Sequence, residues 1–475
     1  MDSLFVAEWI VRLAMFVIIV IRKRSATTAL AWLMVVAFLP FVGAVAYFMF
    51  GETRLGRRRT LAYQHWEDSL SKAPAVWKRL STEWQAELAE PYRTLSDLAE
   101  SVGATEARAG NALELIPETT DLFVRLCEDI DAAEHHCHLL FYIANEDAAA
   151  VAVAEAMVRA RQRGVACRVL LDAAGSRRFL RSGTCARMRE AGVDVMAMMP
   201  VNALRAAAAR VDLRNHRKLV VIDGQVGYLG SHNLTTPIYP RKKRFGAWVD
   251  ASVRVRGPVV YELQEVFLHD WAFNASPLPP EDRFFPPAEV PEGNVVATVL
   301  PTGPGREEAP LLDVILQTLG IAHERVVLTT PYFVPEDAVL AAMRSAALRG
   351  VEVVLVVPKR SDQALANAAG RSHYGYLLDV GVQIWQYRGA LMHAKTLTMD
   401  REFAIVGSAN LDVRSFSLNF ELALLVYDTD FASEVHYLQM SYLENAERLT
   451  VESWRHRGAA RVLGDNVAKL ITPLL

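Results

Sequence analysis

The chain opens with two apolar stretches separated by a few basic residues. The second stretch, 29–50, runs for 22 residues without a charged side chain, against the ~20 that a helix needs to cross the hydrocarbon core. Pro40 and Gly43 lie inside it, and lipid tolerates such residues where neighbouring groups satisfy the freed carbonyls. The pattern predicts one transmembrane helix over 29–50.

The first stretch, 4–21, is interrupted by Glu8 and Arg12, so it either spans the bilayer or lies in its interface. A cleaved signal peptide fits poorly, because the basic residues 22–24 follow the apolar run instead of preceding it. Basic residues also follow the second stretch, so the positive-inside rule gives only a weak preference. We expect a hairpin with both ends in the cytoplasm.

Beyond residue 110 the pattern changes to short apolar runs that alternate with amphipathic helical stretches, which is typical of an α/β sheet flanked by helices. One helix-to-strand unit occurs twice, as ARQRGVACRVLLD at 160–172 and as AALRGVEVVLVVP at 346–358. A proline-rich stretch at 277–291 separates the two copies. We therefore predict a membrane anchor at 1–59, a helical connector at 60–110, and two related domains at 111–285 and 286–475.

Composition adds two constraints. The net charge is only −3, which gives no global attraction to nucleic acid, and we expect no nucleic-acid partner. The four cysteines are scattered without a CxxC pair, as is usual for reduced thiols facing the cytosol.

The strongest signal is a motif that occurs twice in the same register. HRKLVVID and HAKTLTMD both read HxKxxxxD, and the second begins 177 residues after the first. A Gly-Ser-x-Asn sequence follows each copy at the same distance. The candidate residues are His216, Lys218, Asp223, Ser231 and Asn233 in the first copy, with His393, Lys395, Asp400, Ser408 and Asn410 in the second.

These residue types suit the cleavage of a phosphodiester. Side chains two apart on a strand point the same way, so each histidine projects with its lysine. One imidazole can attack phosphorus while the other protonates the leaving alkoxide, and the lysines, serines and asparagines can bind the phosphate oxygens. The aspartates, at the strand ends, are interpreted as tethers of loops. Neither motif has a carboxylate cluster for Mg²⁺, so we expect no metal and no cofactor.

The paired motifs resemble the phospholipase D superfamily over about 111–475. Within it, NHRKLVVIDG, TPYFVPED at 330–337, RSHY at 371–374, GSANLDVRSFSLNFE at 407–421 and the FGE that ends the apolar segments are similar to bacterial cardiolipin synthases. The resemblance implies two fused domains of this type, each a mixed β-sheet flanked by helices, related by a pseudo-twofold axis. It also implies the cytoplasmic membrane of a bacterium.

The same resemblance implies a covalent phosphatidyl-histidine and the conversion of two phosphatidylglycerol molecules into cardiolipin and glycerol. It implies an acidic residue that orients each histidine; Glu421 matches this position in the second copy, and Asp250 is the nearest candidate in the first. A phospholipase D-type phosphodiesterase that uses water or another alcohol as acceptor remains the alternative, because the motif is the same. The motif gives no oligomeric state.

The copies differ in one interval. Asn233 and Asp250 are 17 residues apart, whereas Asn410 and Glu421 are 11 apart, and the excess contains the basic run 240–244. This run is either a solvated loop or a clamp for anionic lipid, at ~1 kcal/mol for each basic residue near the surface. We favour the clamp.

Overall fold

A computed structural model describes residues 3–22, 26–52, 72, 76, 84–103, 105–200, 210, 212–239, 243–275, 278, 281–287, 292–304 and 309–471. Most of the predicted connector between 60 and 83 lies outside these ranges. So do Pro240, Arg241 and Lys242 of the basic run, and the basic clusters at 23–24 and 54–59.

The apolar segments form helices α1 (Ser3–Arg22), α2 (Ala26–Phe38) and α3 (Pro40–Ala46), with a π-helical turn at Tyr47–Gly51. Among the described residues, α1 is the one helix long and apolar enough to cross a membrane. Glu8 and Arg12, which interrupt its apolar pattern, form an ion pair one turn apart at 3.0 Å. This pairing lowers the cost of placing both charges beside lipid.

The prediction of one transmembrane helix over 29–50 is wrong, because the helix is interrupted at Leu39, where the chain reverses. Trp32 and Tyr47 would lie about 22 Å apart along a straight helix, yet their rings meet edge to face at 5.4 Å. Pro40 disfavours a helical conformation at the residue before it, and Leu39 adopts φ −132° and ψ 73°. The second apolar segment is therefore a short helical hairpin.

The described residues beyond 84 form 19 strands, of which 15 make one continuous sheet flanked by helices and four make two separate two-stranded sheets. In the first half the strands are β1 (Arg108–Ile116), β2 (His136–Phe141), β3 (Ala166–Asp172), β4 (Asp194–Met198), β5 (Leu219–Ile222), β6 (Val226–Gly230), β7 (Trp248–Val249) and β8 (Ser252–Arg256). In the second half they are β9 (Val295–Thr302), β10 (Arg325–Thr329), β11 (Phe333–Val334), β12 (Glu352–Pro358), β13 (Gln383–Tyr387), β14 (Leu391–Met392), β15 (Thr396–Met399), β16 (Phe403–Gly407), β17 (Leu411–Asp412), β18 (Glu421–Val426) and β19 (Ala446–Arg448).

The helices of this part are α4 (Tyr92–Gly103), α5 (Thr119–Ala132), α6 (Ala148–Gln162), α7 (Gly183–Glu190), α8 (Val260–Ala272), α9 (Pro310–Ile321), α10 (Asp337–Leu348), α11 (Ala364–Asp379), α12 (Val413–Ser417), α13 (Thr429–Glu444), α14 (Val451–Arg455) and α15 (Ala459–Ile471). Leu95 and Ala99 of α4 are buried in the core of the second half, against Leu300. Although α4 precedes both halves in sequence, it therefore packs on the second.

The strand order repeats around the centre of the sheet. Outward from β1 it runs β1-β8-β6-β5-β2-β3-β4, and outward from β9 it runs β9-β18-β16-β15-β10-β12-β13-β19. β1 and β9 pair antiparallel, and each half combines parallel pairs, such as β2 with β3, with antiparallel ones, such as β5 with β6. The predicted class is confirmed: two α/β domains with mixed sheets, related by a pseudo-twofold axis.

Candidate active site

The two histidines are placed by backbone pairing between the halves. The His216 N–H donates to Phe420 O at 2.8 Å, and the His393 N–H donates to Val249 O at 2.8 Å. Phe420 and Val249 each directly precede one of the two candidate carboxylates. The motif strand of one half therefore lies beside the carboxylate of the other half.

The histidine–carboxylate contacts cross between the halves in the same way. His216 Nδ1 lies 3.0 Å from Glu421 Oε2, and His393 Nδ1 lies 2.5 Å from Asp250 Oδ1. Each carboxylate fixes Nδ1 of its histidine, so Nε2 is the nitrogen that can meet a substrate. Neither half contains a complete histidine–carboxylate pair, and the site needs both.

The two serines support the carboxylates. The Ser231 hydroxyl donates to Asp250 Oδ1 at 2.6 Å, and the Ser408 hydroxyl donates to Glu421 Oε2 at 2.6 Å. Each hydroxyl has one proton, which is used in that bond. In this structure the serines therefore support the carboxylates that contact the histidines, and substrate binding by the serines stays a prediction. Gly230 makes the first arrangement possible, since a Cβ there would lie 2.4 Å from Ser252 Oγ.

The two asparagines differ in their contacts. Asn233 accepts from the Ile143 N–H at 3.0 Å and donates to the Tyr239 hydroxyl at 3.0 Å. Asn410 is also buried, but its side-chain oxygen has no hydrogen-bond partner within the described ranges. A role in binding substrate is therefore easier to assign to Asn410 than to Asn233.

Both lysines are buried beside their histidines. Lys218 Nζ donates to His216 O and Lys395 Nζ to His393 O, each at 2.5 Å. Burial lowers the pKa of Lys218 to about 8 and that of Lys395 to about 7. An anionic phosphate would restore their full charge, because an opposite charge nearby favours the protonated form.

The histidines and lysines of the two halves influence one another. Burial lowers the pKa of His393 to about 3, and Lys395 and Lys218 both add to this shift. The pKa of His216 is also lowered by burial and by both lysines, against the opposing effect of Glu421. The two motifs therefore form one electrostatic unit in which a neutral imidazole is favoured before substrate binds.

The two motif aspartates lie at turns and bind backbone. The Asp223 carboxylate accepts from the N–H groups of Glu134, His135 and His136 at 2.7–2.8 Å. The Asp400 carboxylate accepts from residues 323–325 at 2.8–2.9 Å. Asp223 thus anchors the start of β2, and Asp400 anchors the start of β10. These contacts agree with the interpretation of both aspartates as tethers.

Aromatic side chains flank the histidines, and the sequence motifs did not reveal them. The Trp248 ring lies 4.4 Å from His393 and is stacked on Tyr239 at 3.9 Å. The Tyr142 ring lies 4.8 Å from His216. Trp248 could have been found from its position two residues before Asp250 on an extended strand; Tyr142 is distant in sequence and carried no signal.

Two buried histidines of β2, His136 and His138, belong to the core behind the sheet. His136 Nε2 and His138 Nδ1 both contact the side chain of Gln264, at 2.9 and 3.2 Å, and His138 stacks on Phe267. In the part of the chain that the structure describes, no group of three or more His, Cys, Asp or Glu side chains could hold a metal.

A duplicated α/β fold in which each half contributes one HxK motif places the chain in the phospholipase D class. The family model described as the cardiolipin synthase phospholipase D-like domain matches residues 126–271 and 315–438, and the model of the phospholipase D-nuclease N-terminal segment matches 13–52. The chain belongs to the cardiolipin synthase family of enzymes.

Curated relatives cover almost the whole chain. Cardiolipin synthase A of Klebsiella pneumoniae subsp. pneumoniae is 35% identical, over 99% of this chain and 99% of the relative. Cardiolipin synthase A of Yersinia pseudotuberculosis is 35% identical, over 98% and 97%. The crystal structure of phosphatidylserine synthase from Haemophilus influenzae Rd KW20 covers 80% of this chain with a TM-score of 0.60 at 15% identity, a likeness of fold.

Proposed function

We propose that this protein makes cardiolipin from two phosphatidylglycerol molecules and releases glycerol. The observation that carries the proposal is the pair of histidines, each held at Nδ1 by a carboxylate of the opposite half, beside two buried lysines. This arrangement supplies a nucleophile, an acid and a cationic site for phosphate without any other group. The curated relatives, named cardiolipin synthase A, support the choice of product.

The reaction would proceed in two displacements at phosphorus. In the first, the neutral Nε2 of one histidine forms a bond to phosphorus, and the phosphorus–oxygen bond to the glycerol headgroup breaks. The opposite imidazolium gives its proton to the departing glycerol oxygen. In the second, a hydroxyl of another phosphatidylglycerol attacks phosphorus, its proton returns to that imidazole, and the phosphorus–nitrogen bond breaks.

The charged side chains have separate parts in these steps. Lys218 and Lys395 would neutralise the nonbridging phosphate oxygens, and the buried setting makes each charge more effective than it would be in water. Glu421 would stabilise the imidazolium form of His216, and Asp250 would stabilise that of His393. Each half of the protein would thus assist the histidine of the other.

Lipid analysis of the purified protein tests the function. Detergent-dispersed phosphatidylglycerol should yield cardiolipin and glycerol in equal amounts, measured by mass spectrometry and a glycerol assay. Phosphatidic acid as the main product would instead make the protein a hydrolase. Adding phosphatidylethanolamine tests the second substrate, since cardiolipin without a matching amount of glycerol would identify that lipid as a donor.

We also propose that α1 anchors the protein in the cytoplasmic membrane and that the catalytic halves face the cytoplasm. Arg22, at the end of α1, forms an ion pair with Glu52 at 2.8 Å, so the reversal at Leu39 returns the chain to the side where α1 ends. Arg22 and Glu52 then lie at one membrane surface, and because basic residues follow each of them in the sequence, the positive-inside rule favours the cytoplasm for that side. This topology replaces the expected hairpin with both ends in the cytoplasm, because it places the amino-terminal end of α1 outside.

Thiol labelling tests this topology. A cysteine that replaces Asp2 should react with an impermeant reagent added outside spheroplasts, and a cysteine that replaces Glu52 should not. Labelling of both positions from outside, or of neither, would contradict the arrangement.

A further inference from the structure

Three arginines gather at the His216 end of the site. Arg210 pairs with Asp212 through two bonds at 2.6 and 2.9 Å, and Arg414 reaches the same carboxylate from the other half at 3.0 Å. Arg214 lies two residues before His216, and its backbone oxygen accepts from the Phe420 N–H at 3.0 Å. This cluster joins the motif strand of the first half to α12 of the second.

Tyr142 connects the arginines to the reacting groups. Its ring lies 4.8 Å from His216 and 5.7 Å from Lys218 Nζ. Burial raises the pKa of the Tyr142 hydroxyl, and Arg214 and Arg414 both oppose that shift. The Arg214 guanidinium itself donates to Leu213 O at 2.8 Å and to Met199 O at 3.4 Å, contacts that a phosphate would have to replace.

The corresponding positions at the other end carry no charge: Leu391 replaces Arg214, and Pro237 replaces Arg414. His393 is flanked instead by Trp248, on which Tyr239 stacks. The positions related by the repeat are therefore cationic beside His216 and apolar beside His393, where Arg244 of the basic run lies over Phe245.

A reaction between two anionic phospholipids needs a second place for phosphate. When the headgroup hydroxyl of the acceptor attacks, the acceptor's own phosphate lies only one glycerol unit from the attacking oxygen. The pair Lys218 and Lys395 is then occupied by the reacting phosphate. An unneutralised second phosphate beside it would be repelled, since like charges a few ångströms apart are costly.

We propose that Arg214 and Arg414 bind the phosphate of the acceptor phospholipid, a subsite that rests on the proposed function. Guanidinium groups suit this task because their donors match phosphate oxygens in pairs. Arg414 can exchange Asp212 for the phosphate while Arg210 keeps the Asp212 carboxylate paired. The acceptor hydroxyl then approaches phosphorus from the His216 side.

This placement also assigns the two histidines. The entering alcohol and the departing alcohol occupy the side of phosphorus opposite the nucleophile, so the histidine beside the acceptor subsite is the one that exchanges protons. His216 is then the general acid and base, and His393 carries the phosphatidyl group. The side-chain exposures agree, since His216 is 13% exposed and His393 only 4%.

Competition between two acceptors tests the subsite. With phosphatidylglycerol as donor and ethanol added, the enzyme should form cardiolipin and phosphatidylethanol, and their ratio measures selection of the anionic acceptor. Arg414→Gln and Arg214→Gln should each lower this ratio roughly tenfold or more, the value of a lost charge-assisted hydrogen bond. Transfer to ethanol should fall much less, and Arg414→Lys should restore part of the ratio.

Arg256→Gln is the matched control, because it removes an exposed guanidinium that pairs with Glu292 at 3.1 Å. It should leave the ratio within about threefold of the wild type, as loss of a surface ion pair does. An unchanged ratio in both site variants, or an equal fall in Arg256→Gln, would overturn the subsite. Phosphatidylethanol without any cardiolipin from the wild-type enzyme would instead refute the proposed function.

Discussion

The two halves of the site have the same groups at the proposed reaction centre but different residues around it. Both present a histidine, a lysine that binds the histidine carbonyl, and a serine that supports a carboxylate. They differ in what surrounds these groups, with arginines near His216 and stacked aromatic rings near His393. A symmetric set of reacting groups with asymmetric surroundings suits a reaction in which one phospholipid is the donor and the other is the acceptor.

A second difference concerns the residue between histidine and lysine. In the first half it is Arg217, which is buried, bonds Asp270 at 2.8 Å and donates to Glu421 O at 3.0 Å. In the second half it is Ala394. Arg217 thus braces the strand that carries Glu421, whereas the contact between His393 and Asp250 has no equivalent brace at that position.

The largest effect is expected from the histidines. His216→Ala and His393→Ala should each reduce cardiolipin formation by about 10⁴-fold or more, because nucleophile and acid act as one unit. A phosphatidyl ester of p-nitrophenol, whose leaving group needs no proton, separates their parts. His216→Ala should still release one equivalent of nitrophenolate, and His393→Ala should release none. The reverse pattern would exchange the two assignments, and more than a tenth of wild-type activity in either variant would refute the shared site.

The next largest effect on activity is expected from the two carboxylates that contact the histidine of the opposite half. Glu421→Gln and Asp250→Asn should each lower kcat by roughly 10²–10⁴-fold through loss of the correct tautomer. In spectra of enzyme with ¹⁵N-labelled histidine, Glu421→Gln should shift the His216 resonances and Asp250→Asn those of His393. Glu292→Gln, at an exposed ion pair with Arg256, is the control. A shift confined to the histidine of the same half would contradict the crossing.

The lysines should affect activity and stability in opposite directions. Lys218→Met and Lys395→Met should each cost about 2–4 kcal/mol of transition-state stabilisation. The folded pKa values of about 8 and about 7 lie below those of unfolded lysine, so each charged lysine destabilises the fold at low pH and this penalty is relieved as pH rises towards ~10.

Thermal unfolding at two pH values checks the sign. Both variants should have a higher Tm than the wild type at pH 6, Lys395→Met by the larger margin, and the difference should shrink towards pH 10. A lower Tm at pH 6 would mean that the lysines stabilise the empty site.

The tethering aspartates should affect stability more than chemistry, and equally in both halves. Asp223→Asn and Asp400→Asn should each lower the free energy of unfolding by about 1.5–3 kcal/mol, the worth of charge-assisted hydrogen bonds. Activity per folded molecule should stay within a few-fold. A normal Tm with lost activity in either variant would give that aspartate a chemical role.

The smallest effect is expected from chelation. The groups proposed for both halves are side chains, so EDTA should leave cardiolipin formation unchanged. Loss of activity with EDTA, and recovery with one divalent ion, would require a different mechanism.

The sequence by itself determined the duplication, the class of fold and the two HxK pairs, because a motif repeated at a fixed displacement is a local pattern that needs no folding to be seen. It also pointed to Glu421 and Asp250 as the acidic partners. Which carboxylate meets which histidine was decided only by the tertiary structure, since backbone pairing of residues 216 with 420 and 393 with 249 joins segments about 200 and 140 residues apart.

The remaining features depended on contacts of the same long range. The arginine cluster combines residues from both halves, and the first-half Trp248 lies against the second-half His393. A residue's type does not say which distant strand it will face. The reversal at Leu39 also escaped the hydropathy pattern, because an apolar run has the same mean hydropathy whether it is straight or folded back. Proline marked the place, but only the packing of Trp32 against Tyr47 decided the direction of the chain.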